Sequence, residues 1–480
     1  MAFNLFRKVE KADSIFYNGT IHLMLTDSGD VTAIACKDGK VFAVGDYDSM
    51  SSIIGSGTEK IDLERRHLYP GLAEVNGRPA MDVFKGLYLD LTWCETTEDV
   101  LKAVSHWAAE HPDCEVVFGY GYKDDLKPVD QQTLTENNEQ YENAEDEEDE
   151  ESSEISYEFL PSSTLLSSAC KDIPVVLLCE SSIAVWINEA AAKIVYDTAE
   201  EEVVQVITVP YVLNVFVPFD FEKIEERVNT QALEMAKKGV TSVLNLGTPD
   251  YFEDMYQDAL MGLYNESVLM QRFYGSYLLN RPLNPRALLH RLMGRRTNCM
   301  ELGGFLNAET LCISLANKTN PIPFTQDSIN TILLETANRD FNVYIDAFDY
   351  DDLLMAYKGL EHIRSKGLDN VFVIASALEL SKEDASALIY CESAIHTTPV
   401  AQTDQENCTE ASASSQCSLE DGLSQGYGII GHENTDGTLA NGNYADFAIF
   451  DEEIHTLAGK NRKAFMTVLG GKVVYDSLNE

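Results

Sequence analysis

At 480 residues the chain is too long for one ordinary domain and is sized for a large barrel with a smaller module. Lys and Arg number 35 against 79 Asp and Glu, a net charge of −44, which argues against nucleic acid and anionic membrane surfaces as partners and favours solubility or a basic partner. Hydrophobic residues at 45% suffice for a sizeable core, while ten scattered cysteines without a CxxC pair suit a reducing cytoplasm.

The N-terminal stretch MAFNLFRKVEKADSIFYNG has no apolar signal core. No run in the chain approaches the ~18–20 apolar residues that a membrane-spanning helix needs. Residues 12–68 then alternate short β runs with turn chemistry, Asn18-Gly19 among it, and Asp38-Gly39 between two β-rich arms is a hairpin signal. The other end repeats the style in GTLANGNYADFAIFD and RKAFMTVLGGKVVYD, with Gly470-Gly471 as the turn. Residues 1–69 and 430–480 are therefore expected to form one small composite β-sandwich. Between them, apolar runs such as EVVFGYGY, IPVVLLC, GVTSVLNLG, FNVYIDAFD and NVFVIASAL alternate with helix-like stretches. Repeated β-then-α order implies a parallel sheet, most simply a (β/α)8-type barrel over 70–398, with an open doubly wound sheet as the alternative.

Two segments stand apart. Residues 129–157 contain the uninterrupted acidic run 145–151, which repels itself and is expected to be solvated. Residues 399–429 read as a polar linker.

The stretch Leu68-Tyr69-Pro70-Gly71-Leu72-Ala73-Glu74-Val75-Asn76-Gly77-Arg78 carries a resemblance. It is similar to the signature of the amidohydrolase superfamily, in which a strand ends in Pro-Gly-apolar-apolar-acid-x-His-x-His. The composite terminal strands, WAAEHPDCEVVFGYGY and the segment from Ser181 through Trp186 to Asn188 resemble the branch that includes N-substituted formamide deformylase-like enzymes. The resemblance implies a (β/α)8 barrel, a composite sandwich and a zinc-type centre that activates water for hydrolysis of C–N bonds.

The ligand positions differ from that pattern. Asn76 and Arg78 stand where the resemblance implies two histidines, and an arginine cannot lose its proton to bind a cation. Ile183 replaces the histidine of the Trp186/Asn188 loop, Leu244-Asn245 follow GVTSV in place of His-Asp, and Leu306 falls at the implied lysine. Asp346 and Ser376 end strands at two further histidine positions, and the final Gly-Ser-Asp base has no clear counterpart, so the barrel is expected to be incomplete or distorted.

No confident catalytic residue emerges; Glu74, Asp346 and His396 are the candidates for acid–base work. Asn76, Arg78, Trp186, Asn188, Asn245, Asp349 and Ser376 are expected to line the pocket. Glu74 and Asp346 are placed to act as acid and base or to hold a hard cation, or Arg78 pairs with Asp346 or Glu74 in an internal salt bridge. No metal ligand set is expected, and no cofactor, although the family would use zinc. These losses favour an amidohydrolase-like pseudoenzyme that binds a small molecule or another protein, with a homodimer as a further expectation. The alternative is a divergent hydrolase of non-peptide C–N bonds with an atypical or weak metal site. A third reading is an acidic scaffold acting through 145–151.

Overall fold

Strands buried on both faces read as apolar runs, and runs of this kind supply most of the central sheet's six strands. The computed structural model describes residues 10–25, 31–75, 77–123, 126, 161–180, 184–198, 209–216, 219–248, 250–300, 302–316, 322–376, 419–432, 437–455 and 463–479. The acidic run 145–151, the 129–157 insert and most of the 399–429 segment lie outside the described residues. The sheet is all parallel, in the spatial order Phe372–Ser376, Asn342–Ala347, Leu306–Ser314, Arg272–Leu279, Val240–Asn245, Leu72–Glu74. Every residue of Val240–Asn245 and of Phe372–Ser376 is buried.

Side-chain alternation divides these strands into two faces. Leu311, Ile313, Val343, Ile345, Phe372 and Ile374 pack in one cluster with Ile329, Leu333, Leu353 and Leu360 of the helices Gln326–Ala337 and Tyr350–Ser365. Period two then turns Cys312, Tyr344 and Asp346 to the opposite face. The two helices start where their sequences provide caps. Thr325 and Ser328 form a reciprocal capping box, and the Asp349 carboxylate accepts from the backbone N–H groups of Asp351 and Asp352.

The chain divides into two compact units. One comprises Met1–Ala80, Glu225–Ala316 and Phe324–Glu480, and the other Met81–Ile224 with Asn317–Pro323. The central sheet belongs to the first unit. The second has its own sheet, in the order Val185–Ile187, Val175–Cys179, Val117–Tyr122, Leu89–Asp90, with the Val185–Ile187 edge antiparallel. Its core gathers Leu91, Val100, Val104, Val117, Leu177 and Trp186.

This arrangement departs from a closed eight-stranded barrel. In such a barrel Leu72–Glu74 would lie beside the strand that follows it in the chain. Here its partner is Val240–Asn245, with Val240 opposite Leu72 and Val243 opposite Glu74. The strands that follow Leu72–Glu74 in sequence pair among themselves in the second unit. The parallel sheet is a curled half-barrel, in keeping with a distorted form of the expected barrel. Gly71 permits the close approach of the first strand: a Cβ there would stand 1.9 Å from Thr241 Oγ1.

The two ends of the chain meet in a further sheet of the first unit. Its order is Lys472–Asp476, Met466–Leu469, Phe447–Phe450, His67–Pro70, Thr20–Ile21. A fourth sheet joins Lys40–Gly45, Ala33–Lys37, Ser14–Tyr17 and Glu59–Asp62. Phe16, Ile34, Leu68, Phe447 and Val468, drawn from both, share one apolar cluster. The hairpins at Asp38-Gly39 and Gly470-Gly471 form, and all four turn residues have positive φ, as the primed turns require. Within the segment read as a linker, Leu419–Ile430 is a helix that buries Leu419, Leu423, Tyr427 and Ile430. Their spacing of four, four and three is helical, a signal masked by the glycines and polar residues around them.

Candidate functional site

The C-terminal ends of parallel strands collect the groups that do chemistry in barrel-type sheets. At that end of the half-barrel, Arg78 follows the first strand and Asp346 lies one residue from the end of Asn342–Ala347. Arg78 Nη2 donates to Asp346 Oδ2 at 2.5 Å. The Arg78 side chain is 30% exposed and that of Asp346 8%, so the pair faces an opening from a nearly dry floor. Arg78 Nη1 also donates to the carbonyl oxygens of Leu246 at 3.2 Å and Gly247 at 3.0 Å. Gly247 presents its carbonyl from a left-handed backbone with φ of 82°.

The electrostatics follow from burial. Burial holds the Asp346 carboxyl above its ordinary value, and the Arg78 guanidinium pulls it back without cancelling the shift. Cys312, on the same face of the neighbouring strand, is hydrogen-bonded to Arg78, and burial pushes its thiol up to about 12. That thiol stays protonated near neutrality and is no nucleophile.

The other residues singled out in the sequence take separate places. Glu74 ends the Leu72–Glu74 strand and is exposed. Asn245 makes no bond to Arg78 itself: its side-chain amide donates to both oxygens of Glu253, at 3.1 and 3.0 Å, and its Oδ1 accepts from the Gly247 N–H at 3.3 Å. Asp349 caps the helix Tyr350–Ser365, and Ser376 is buried at the end of its strand. Asn76 and His396 lie outside the described residues. Trp186 and Asn188 belong to the second unit and are buried there.

Asn188 works as an internal bracket. Its side chain accepts from the N–H groups of Val175 and Ala191 and donates to the carbonyls of Cys170 and Ile173. Asn188→Ala is expected to destabilise the second unit by about 2–3 kcal/mol, because four backbone groups lose their partner. Urea unfolding followed by Trp fluorescence would measure it, and a change within about 0.5 kcal/mol would deny the bracket.

Two buried groups escaped the sequence reading. Glu253, on the helix Asp250–Asn265, is 1% exposed and accepts from Asn245, Thr248 and Gln257. Helical spacing from Tyr256 and Leu260 places it on their buried face, which was the available signal. Arg272 is also 1% exposed and binds Asp446 through two hydrogen bonds, Nε to Oδ2 at 2.6 Å and Nη2 to Oδ1 at 3.2 Å. A charge at the start of each apolar run, Arg272 in RFYGSYLL and Asp446 in DFAIF, hinted that each needed a partner.

No protein-family model matches the sequence, and no curated protein does. Solved structures do match. One is an uncharacterised metal-dependent hydrolase from Pyrococcus horikoshii OT3, 13% identical over 92% of this chain and 97% of that one, with a TM-score of 0.55. Another is atrazine chlorohydrolase from Arthrobacter aurescens TC1 complexed with zinc, 13% identical over 96% and 95%, with a TM-score of 0.51. A third is an adenosine deaminase from Xanthomonas campestris with bound zinc, 10% identical over 97% and 93%, with a TM-score of 0.51. The fold is that of metal-dependent hydrolases. These neighbours are amidohydrolase-superfamily enzymes, in line with the resemblance carried by the Pro70-Gly71 segment.

The expectation that no cofactor is involved is corrected by these neighbours, two of which hold zinc and the first of which is a metal-dependent hydrolase by description. They point to a metal cofactor. The donors in view do not fit the usual centre, which takes three protein ligands in one cluster. Among the described residues no group of three or more His, Cys, Asp or Glu side chains is placed to hold an ion. Asp346 also commits one oxygen to Arg78.

Proposed function

We propose that the chain is a divergent hydrolase of non-peptide C–N bonds, N-substituted amides being the substrate class, with an atypical metal site. The two terminal sheets would serve it as the composite β-sandwich of a distorted barrel. One observation carries the reading: in a fold shared with metal-dependent hydrolases, a buried carboxylate and a guanidinium meet at the C-terminal end of the parallel sheet. The chain's own groups suit the two halves of an amide hydrolysis. Asp346, its proton affinity raised by burial, takes a proton from water as the water oxygen bonds to the amide carbon. The Arg78 guanidinium stabilises the negative charge that develops on the carbonyl oxygen. When the C–N bond breaks, Asp346 returns that proton to the leaving nitrogen.

The test is hydrolysis of a panel of N-substituted amides by the full chain after incubation with zinc, manganese or iron, alongside elemental analysis of the purified protein. Turnover is expected to fall by about a hundredfold or more in Asp346→Asn. A folded wild-type chain that turns over none of these amides with any metal sinks the proposal.

A second reading is a protein that binds a ligand or another protein at the same opening without hydrolysing it. It is favoured by the three hydrogen bonds that tie Arg78 to Asp346, Leu246 and Gly247, which stiffen the mouth as a recognition surface would require. Ligand binding without turnover, unchanged in Asp346→Asn, would select it.

A further inference from the structure

On the helix side of the parallel sheet, away from Arg78 and Asp346, the first unit lines a partly open cavity of about 80 Å3. It lies among the helices Asp250–Asn265 and Pro285–Cys299 and the strands Arg272–Leu279 and Leu306–Ser314. Its size is that of about two or three water molecules or one very small organic ion. Two carboxylates line it, Glu253 buried and Asp258 exposed, and no Lys, Arg or His does. The hydrogen bonds to Glu253 come from neutral groups: Asn245 Nδ2, Thr248 Oγ1 at 3.0 Å and Gln257 Nε2 at 3.1 Å. The rings of Tyr256 and Phe273, edge to face at 6.1 Å, supply aromatic wall, and Leu260 and Leu306 supply hydrocarbon.

Gly275 keeps the space open. Its φ is not positive, so its backbone does not demand glycine. A Cβ would instead stand 3.2 Å from the Asn307 carbonyl oxygen and 3.8 Å from Gln257 Nε2, narrowing the cavity where those groups face it.

We propose that this cavity binds a small primary alkylammonium ion, methylammonium in size, with its N–H groups on the Glu253 carboxylate and its alkyl group against Tyr256 and Phe273. An ammonium is a compact cation with three donors, matched to a carboxylate whose hydrogen bonds come from neutral groups and on which Arg295 acts only through its field. Its methyl group and positive charge both favour aromatic faces, the charge through the ring quadrupole. Burial holds the Glu253 carboxyl above its ordinary value despite the opposing charge of Arg295, and a cation seated beside it would draw it further towards the ionised form. Alkali-metal ions gain less here, because they need a cage of oxygens and much of this wall is carbon. Asn245 connects the cavity to the opening described above. Its Nδ2 donates to Glu253, and its Oδ1 accepts from the Gly247 N–H at 3.3 Å, the residue whose carbonyl holds Arg78.

The proposal stands apart from the hydrolase reading, and its test uses binding alone. The full chain is titrated calorimetrically with methylammonium chloride, with potassium chloride at equal ionic strength as the reference. Saturable, millimolar-range binding is expected in the wild type, weakened at least about tenfold by Glu253→Gln and by Gly275→Ala. Circular dichroism establishes that each variant is folded, and Gly275→Ala decides the matter where Glu253→Gln does not fold. Absence of saturation up to about 100 mM, an equal response to potassium, or full binding by Gly275→Ala overturns the proposal.

Discussion

Asp446→Ala is expected to destabilise the first unit by about 3–5 kcal/mol, the cost of leaving a buried charge without its partner. The side chains of Arg272 and Asp446 are 1% and 6% exposed, so water cannot take the place of either. Asp446 is the centre of a dense set of bonds. It receives two from Arg272 and one from the Gly470 N–H at 2.7 Å, and its own carbonyl accepts from the Gly71 N–H at 3.0 Å. The guanidinium is held over the Tyr444 ring at 3.6 Å and the Phe305 ring at 4.5 Å. One pair therefore ties the start of a central strand to the C-terminal sheet and to the turn of its last hairpin. The attraction itself is not the source of the number, since removing both charges together can be nearly neutral. Arg272→Met with Asp446→Leu should thus recover most of what Asp446→Ala loses. Urea unfolding of the three variants measures this, and a loss below about 1 kcal/mol in Asp446→Ala would mean that water reaches Arg272 after all.

The sequence made some levels of this structure legible and hid others, for physical reasons. Turn chemistry at Asp38-Gly39 and Gly470-Gly471 is local, because positive φ at consecutive positions selects Asp and Gly whatever surrounds them. The strands FNVYIDAFD and NVFVIASAL are legible because a parallel strand buried on both faces must be apolar throughout. Which strand lies beside which is not local. Nothing in Leu72-Ala73-Glu74 announces Val240–Asn245 as its neighbour; the nearest hint is Gly71, which must be small for Thr241 to pack against it. The site was legible by position, and its partnership only as alternatives: the sequence offered Arg78 a salt bridge to Asp346 or to Glu74, and the fold selects Asp346. Asp346 ends a strand where chemistry collects, and Arg78 needed a carboxylate, yet only the fold brings them within 2.5 Å. Asn188 and Asn245 show the converse. Each was read as a pocket residue from its place in a motif, and each spends its side chain on bonds to buried groups beside it. Short polar side chains do this wherever backbone donors or carboxylates need satisfying, which motif position alone does not reveal.

Arg78→Met is expected to destabilise the chain by an amount that grows with pH, reaching about 2–4 kcal/mol near neutrality. The upper end of the usual range for a broken buried pair is not reached, because the Arg78 side chain is 30% exposed and water screens part of its charge. The pH dependence comes from Asp346. In the unfolded chain its carboxyl ionises at its ordinary 3.8, and in the folded chain burial holds it higher. Between those two values the unfolded chain has released a proton that the folded chain still holds, so raising the pH favours unfolding. Above the folded value both states are ionised and the effect is constant. Arg78 limits this loss by pulling the folded value down, and its removal lets burial push that value further up. The variant therefore keeps losing stability over a pH window in which the wild type has already levelled off. The bonds from Arg78 to Leu246 and Gly247 vanish as well, but carbonyls do not titrate, so their loss shifts the whole curve without bending it. Urea unfolding of both proteins at about pH 4 and about pH 8 separates the two contributions. A gap that widens with pH assigns the difference to the Arg78–Asp346 charge pair. A gap of equal size at both values would reduce Arg78 to a clamp on the Leu246–Gly247 turn, and Asp346 would then owe its proton affinity to burial alone.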